Sequence, residues 1–292
     1  MAWTRPRDPS PPPGGCYRGA VVAVGTRHGK ERQFSHPFSA ILGARLVTPP
    51  DLDTDRFGTF TGERARLGTA VQAARAKAHL AIDRAGLPLA LASEASYGPL
   101  PGIGGSGHEE ILLFCDTVRG IEVLEGHRSA EIPGTTHEVS QHREIPPSLL
   151  AGLPGQALIV RSAQSGPGGV VVKGITEVSG LRAAVEKAVA GSADGRAVVA
   201  PDLRAHVNPS RRRVLRHLAT VMARRLATLC PACATPGFGR VGTAPGLPCG
   251  LCATPTPLAR SEIHACCRCG FSESRPVQPA SADPAHCPLC NP

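Results

Sequence analysis

The sequence predicts an α/β fold, a mixed central sheet with flanking helices, followed by a small C-terminal region organised by cysteine pairs. Three observations predict it. Short β-branched runs alternate with helical patterns over the first two thirds of the chain. After Asn208 an apolar stripe (Leu215, Leu218, Met222, Leu226, Leu229) recurs every three to four residues. Nine of the eleven cysteines fall in the last 63 residues. The predicted organisation is a disordered tail over 1–16, an α/β domain over 17–201, an Arg-rich amphipathic helix over 202–229 and a cysteine-paired region over 230–292.

Composition bounds the function. The 292 residues and 41% hydrophobic content support a real core, but aromatics are only 3%, so Ala, Val, Leu and Ile must build it. The same scarcity tells against stacking recognition of single-stranded nucleic acid. No apolar run approaches the roughly 20 residues that span a bilayer, so no membrane partner is expected. The opening "MAWTRPRDPSPPPGG" has no apolar core of a signal peptide, which makes a cytoplasmic location the expectation. Between Asp202 and Leu229 there are seven Arg and one acid, +6 of the formal +9.

Along the chain, Ala20–Val24 reads as a strand, and "GTRHGKER" turns it toward a helix. Such a junction suits anions, with the Thr26 hydroxyl and the Lys30 ammonium beside it. Residues 44–50 read as a strand closed by prolines. The loop "DLDTDRFGTFTGE" gathers Asp51, Asp53, Asp55 and Glu63, but Arg56 and Gly62 stand where a calcium loop needs Gly and Glu. A surface loop that can reach over a site remains.

Thr69 and Gln72 form a capping box that opens a helix, and Gly86 stops it. Its basic residues Arg75, Lys77 and Arg84 read as a solvated face. "LPLALAS" follows as a strand with Glu94 at its carboxyl end, where ligands of α/β sheets collect. Glu94 is therefore either a metal-binding or catalytic acid or an ordinary strand-end carboxylate. G-x-G-x-x-G at Gly102, Gly104 and Gly107 precedes a strand instead of opening a helix, which rejects a dinucleotide reading. Glu110–Asp116 and Ile121–Leu124 read as a hairpin in which Cys115 is a buried thiol. Strands at "ALIVR" and "GVVVKG", a helix at "SGLRAAVEKAVAG" and a strand at "RAVVAPD" follow. Asn208 caps the last helix, with Pro209 its first residue. Arg211, Arg212 and Arg213 sit in its first turn, where the helix dipole disfavours cations, and a nearby anion would explain them.

The cysteines form four pairs, Cys230/Cys233, Cys249/Cys252, Cys266/Cys269 and Cys287/Cys290, with Cys267 surplus. Fifteen residues lie between Cys233 and Cys249 and 17 between Cys269 and Cys287, the intervals of tetrahedral Zn2+ sites. Two Zn2+ ions are expected, in tandem four-cysteine zinc ribbons over 230–292, in preference to a disulfide framework or redox pairs. Sequential pairing, first pair with second and third with fourth, is the simpler arrangement; a cross-braced one, first with third, is the alternative. His264 and His286 adjoin the pairs. The region carries four Arg, three acids and no Lys, a thin basis for gripping phosphates.

Two resemblances add to this. "TRHGKE", "DLDTDRFGTFTGE", "AARAKA", "GLPLALASEASYGP", "EILLFCD", "DLRAHVNPSR" and "CPAC" resemble an uncharacterised bacterial family with an α/β domain and a cysteine-pair tail. "TRHGK", "ARAKA" and "LASEAS", in that order, resemble the phosphate loop, helix and acidic strand end of the inosine triphosphate pyrophosphatase-like superfamily. The loop is one residue shorter, His28 stands for Asn, and Ser93-Glu94 stands for an acidic pair. The second resemblance implies a Mg2+-dependent nucleoside triphosphate pyrophosphatase or a nucleotide-binding relative. Thr26, His28, Lys30, Arg204, Arg211 and Arg212 would then contact phosphates, and Glu94 with Asp116 would hold Mg2+. Glu94, Lys30 and His206 would be the catalytic groups, with a histidine, His206 or His28, transferring a proton. The rival from another class is a non-catalytic adaptor that binds nucleic acid or a protein through the Arg helix and the cysteine region.

Overall fold

The computed structural model describes residues 15–58, 66, 68–100, 105–130, 135–164 and 169–292. Most of the expected tail, Glu63 of the acidic loop, and Gly102 and Gly104 lie outside the described residues.

β1 (Val21–Val24) passes through Gly25–Lys30 into α1 (Glu31–Pro37), which a π-helical turn extends to Leu42 before β2 (Arg45–Val47). α2 (Ala70–Ala85) then leads to β3 (Leu89–Leu100), and both β2 and β3 pair with β1 in parallel. β4 (Gly105–Asp116) and β5 (Ile121–Ser129) add antiparallel, giving the order β2-β1-β3-β4-β5. The capping box of α2 is formed: the Thr69 hydroxyl accepts from the Gln72 amide at 3.2 Å, and the Gln72 side chain accepts from the Thr69 amide at 2.8 Å. Gly86 ends the helix in the left-handed region, φ 62°.

Strand alternation sorts the two faces of this sheet. Val22, Val24, Leu89, Leu91, Leu112 and Phe114 meet Phe34 and Phe38 on one face. Ala23, Ala90, Ala92 and Leu113 meet Ala74, Ala78 and Ala81 of α2 on the other. These small residues let α2 lie close, and a Cβ added at Gly25 would fall 2.6 Å from the Lys77 carbonyl oxygen. The two parallel neighbours of β1 are thus reached by helices on opposite faces. That makes the carboxyl end of β1 a topological switch point, where such sheets leave a crevice.

The expected mixed sheet does not extend over all of 17–201. β6 (His137–Val139), β7 (Leu158–Ser162), β8 (Val171–Ile175) and β9 (Ala197–Pro201) form a second, antiparallel sheet in the order β6-β9-β7-β8. α3 (Pro147–Leu150) lies between β6 and β7, and α4 (Val178–Ala190) covers the sheet with Leu181, Ala184, Val185 and Ala188. The second sheet closes over its own apolar cluster, which is why it stands apart from the first.

α5 (Pro209–Ala227) is not a separate segment either. Leu215, Leu218, Met222 and Leu226 are buried in the core of the first sheet beside Phe34 and Phe114. Asn208 caps it, accepting from the Arg211 amide at 3.0 Å. After α5, β10 (Gly239–Pro245), β11 (Ala259–Ala265) and β12 (Ser272–Pro276) form a three-stranded antiparallel meander. Arg225 ties it down, donating to the carbonyls of Gly237 (3.0 Å) and Leu124 (3.1 Å) and to Glu125 (2.8 Å). No described helix is long and apolar enough to cross a membrane.

Candidate functional site

At the switch point lies a cavity of about 390 Å³. Gly25, Thr26, Arg27, His28 and Lys30 after β1 form one wall; Glu94, Ala95, Ser96 and Tyr97 of β3 and Lys77 of α2 form another. Thr54, Asp55, Gly58 and Arg66 come from the acidic loop, Lys173 and Leu203–Ala205 from the second sheet and its exit, and Arg211 from α5. β3 outruns β1 here: Val24 pairs with Leu91, whereas β3 continues to Leu100 because β4 supplies hydrogen-bond partners along its whole length. Glu94 therefore stands in mid-strand, just past the end of β1, and not at a strand end as the sequence suggested.

Among the described residues the lining is cationic, with seven Lys or Arg side chains against Asp55 and Glu94. Several are held in place by internal partners. Arg27 donates to Asp55 at 2.9 Å, and Arg66 to the Ala95 carbonyl and the Ser96 hydroxyl at 3.1 and 2.8 Å. Arg204 is forked onto buried Asp202 through Nε and Nη2, at 3.0 and 2.6 Å for the shortest contacts. Lys77 is ion-paired with Glu94, both buried. Arg211 is fully buried and bidentate with Glu110, 2.8 Å at each contact. Lys30 is half-buried with its ammonium enclosed, donating to the Ser93 carbonyl (3.3 Å) and hydroxyl (3.0 Å).

Of the predicted site residues, Thr26, His28, Lys30, Glu94, Arg204 and Arg211 all line this one cavity. The Thr26 hydroxyl accepts from the His28 amide at 3.3 Å and so shapes the loop. His206 does not line the cavity; its ring is stacked on that of His28, with centroids 5.1 Å apart. Burial and the Arg204 charge lower both imidazole pKa values, His28 in spite of Asp55 at 3.5 Å, so both rings are neutral near pH 7.

Three expectations are corrected. The anion that explains Arg211 in the first turn of α5 is Glu110, from the protein itself, so its guanidinium is already committed. Arg212 does not line the cavity; it donates to the His206 carbonyl at 2.7 Å. Asp116 is at the other end of β4, opposite Leu89, whereas Glu94 is opposite Ile111, and it accepts from Tyr17 and Arg119. Among the described residues, the carboxylates that line the cavity are Glu94, taken by Lys77, and Asp55, taken by Arg27. A hard cation needs several free oxygens, so this donor set does not fit Mg2+.

The cysteines gather as Cys230, Cys233, Cys266 and Cys269, and as Cys249, Cys252, Cys287 and Cys290, the four sulfurs of each set lying within 4.8 Å of one another. Pairing is cross-braced, not sequential. In an up-down-up meander the turn before β10 and the turn joining β11 to β12 share one end. The turn joining β10 to β11 and the segment after β12 share the other. Sγ separations of 3.7 Å (Cys230–Cys269), 3.7 Å (Cys233–Cys266), 4.0 Å (Cys249–Cys290) and 3.6 Å (Cys252–Cys287) bracket the edge of about 3.8 Å of a tetrahedron with 2.3 Å metal–sulfur bonds. Both sets could hold a metal ion, and their chemistry is consistent with Zn2+. His264 instead lies 3.1 Å from Glu262.

Sequence reasoning missed Lys77, Arg66 and Lys173 as lining residues. Lys77 was legible: three residues after Ala74 and four before Ala81, it falls on the alanine stripe that faces the sheet. Lys173 and Arg66 reach the cavity only through tertiary packing. A family model described as a domain of unknown function (DUF6671) matches residues 77–292, and the chain belongs to that family. No curated protein matches it.

Proposed function

For a member of a family without an assigned activity the cavity is the guide, and we propose that this protein binds a phosphorylated small molecule of nucleotide size at the switch point of its first sheet. The observation that carries this reading is the convergence of seven cationic side chains on a cavity of about 390 Å³, within the range of small-ligand sites. Phosphate oxygens would meet Arg204, Lys173 and Lys30 at one place, with Thr26 beside them. A nucleotide is the first ligand to test.

Hydrolysis by Mg2+-activated water draws less support than binding, because Asp116 is remote and Glu94 is paired. The adaptor reading draws less still: Arg211 and Arg225, two of the seven arginines of segment 202–229, are buried in internal ion pairs. In the C-terminal region we propose Zn2+ at both cysteine sets, holding a segment with little apolar core of its own.

The deciding experiment is calorimetric titration of zinc-loaded protein with nucleoside mono- and triphosphates and inorganic phosphate, with pyrophosphate release followed in parallel. Saturable binding that Arg204→Ala weakens is expected. Absence of binding by any phosphorylated compound would overturn the reading.

A further inference from the structure

We propose that Lys30 is an amine nucleophile and that the cavity's ligands include phosphorylated aldehydes or ketones, captured on Lys30 as an imine. This rests on the cavity being a phosphate site and goes beyond it in requiring a carbonyl group in the ligand.

Lysine is scarce in this chain. Of its 32 Lys and Arg residues only four are lysines, yet three of these, Lys30, Lys77 and Lys173, line the cavity. Elsewhere arginine carries almost all the positive charge. An arginine serves as well or better for gripping phosphate but is never neutral, so lysine is the residue of a site that uses a free amine.

Lys30 has the surroundings for that role. Lys77 is neutralised by Glu94, whereas Lys30 has no carboxylate oxygen within 4.0 Å among the described residues. The Ser93 carbonyl and hydroxyl hold two of its hydrogens, which leaves a neutral amine its lone pair. Burial first, then the Arg211 and Lys77 charges, push its pKa down to about 8, with Glu110 and Glu94 offsetting part of the effect. About a tenth of such an amine is neutral at pH 7, against fewer than one in a thousand for an ordinary lysine. Desolvation beside other cations is a standard way to activate a lysine.

The step balances without a metal or a redox partner. The Lys30 nitrogen attacks the carbonyl carbon, and the C=O π pair moves to oxygen, which is protonated to give a carbinolamine. Uptake of one proton from solvent, equal to the one the ammonium released before attack, expels the hydroxyl as water and leaves a protonated C=N bond. Arg204 and Lys173 are placed to hold the phosphate, and the neutral imidazole of His28 lines the same cavity.

The test is borohydride trapping on the full, zinc-loaded chain with pyridoxal 5′-phosphate and with glyceraldehyde 3-phosphate, followed by peptide mapping. With four lysines, of which Lys187 is exposed and outside the cavity, assignment is direct. Lys30 is expected to be labelled about tenfold or more over Lys187 at pH 7. Phosphate-free pyridoxal should label Lys30 less than pyridoxal 5′-phosphate does, and inorganic phosphate should compete with the latter. Lys30→Arg should abolish the cavity label, and calorimetry on the unsubstituted chain reads inorganic phosphate binding. Labelling of Lys187 in preference to Lys30 on a protein that binds phosphate would overturn the imine proposal alone. Failure to bind phosphate at all would overturn the cavity reading beneath it.

Discussion

Arg211 and Glu110, 101 residues apart, form a bidentate ion pair with both side chains fully buried between α5 and β4. His108 lies 3.3 Å from the same carboxylate, and Arg211 also reaches the Leu203 carbonyl at the exit of the second sheet. Burial alone would raise the pKa of Glu110, but Arg211, His108 and Lys30 outweigh it and hold the carboxyl well below the usual range. Its folded pKa is depressed, so its stabilisation is present above the ordinary carboxylate value and is lost as pH falls toward the folded one. Glu110→Gln leaves the buried guanidinium without its carboxylate and should cost about 3–5 kcal/mol in urea unfolding at pH 7, more than the paired change Glu110→Leu with Arg211→Met.

Lys30 is also held below its ordinary pKa, but here the charged form is the one disfavoured. Its folded pKa of about 8 lies below the ordinary 10.5, so between these values the unfolded chain binds the additional proton and stability rises with pH. Lys30→Met should therefore be more stable than the wild type at pH 7 by about 1–3 kcal/mol, with the gap closing near pH 10. Urea unfolding at the two pH values measures it. A gain in stability on removing a cavity residue is the signature of a group kept for function.

Arg204, fixed by Asp202, should carry a large share of anion affinity. Arg204→Ala is expected to weaken phosphate binding by about tenfold or more, the worth of one charge-assisted hydrogen bond. Calorimetry at two salt concentrations would show both the loss and a shallower salt dependence.

Metal content tests the cross-brace. Cys249→Ser with Cys287→Ser removes ligands from one set only and should leave one metal ion per chain by elemental analysis. Sequential pairing would put these residues in different sites and cost both ions. Cys230→Ser with Cys266→Ser should behave in the same way for the other set.

Gly237 tests how the cysteine region is seated. It has φ 96°, and a Cβ there would fall 2.7 Å from Val123 Cγ2 on β5. Gly237→Ala should destabilise the chain by about 1–3 kcal/mol through overpacking and backbone strain, read as a lower midpoint of thermal unfolding with metal content unchanged.

Local physics made much of this legible in advance. Caps at Thr69 and Asn208, β-branched strands and the Leu215–Leu226 stripe are short-range signals, and each produced its element where expected. The same signals could not distinguish one sheet from two, because strand pairing is a contest among distant segments. Helix composition alone makes Lys77 a solvated base; its place between Ala74 and Ala81 on the stripe that faces the sheet is what buries it.

By itself the sequence determined that eight cysteines form four turns able to aim sulfurs at an ion, since two-residue spacing is a local constraint. It also determined that Thr26 and Lys30 lie in the turn after the first strand and that Glu94 lies on a later one. The tertiary structure alone decided which turns share a site, because the direction of β10, β11 and β12 places alternate turns at the same end. It alone decided which charges remain for a ligand, because Glu110 captures Arg211, and Lys77 captures Glu94, only when helices and strands far apart in sequence are packed together.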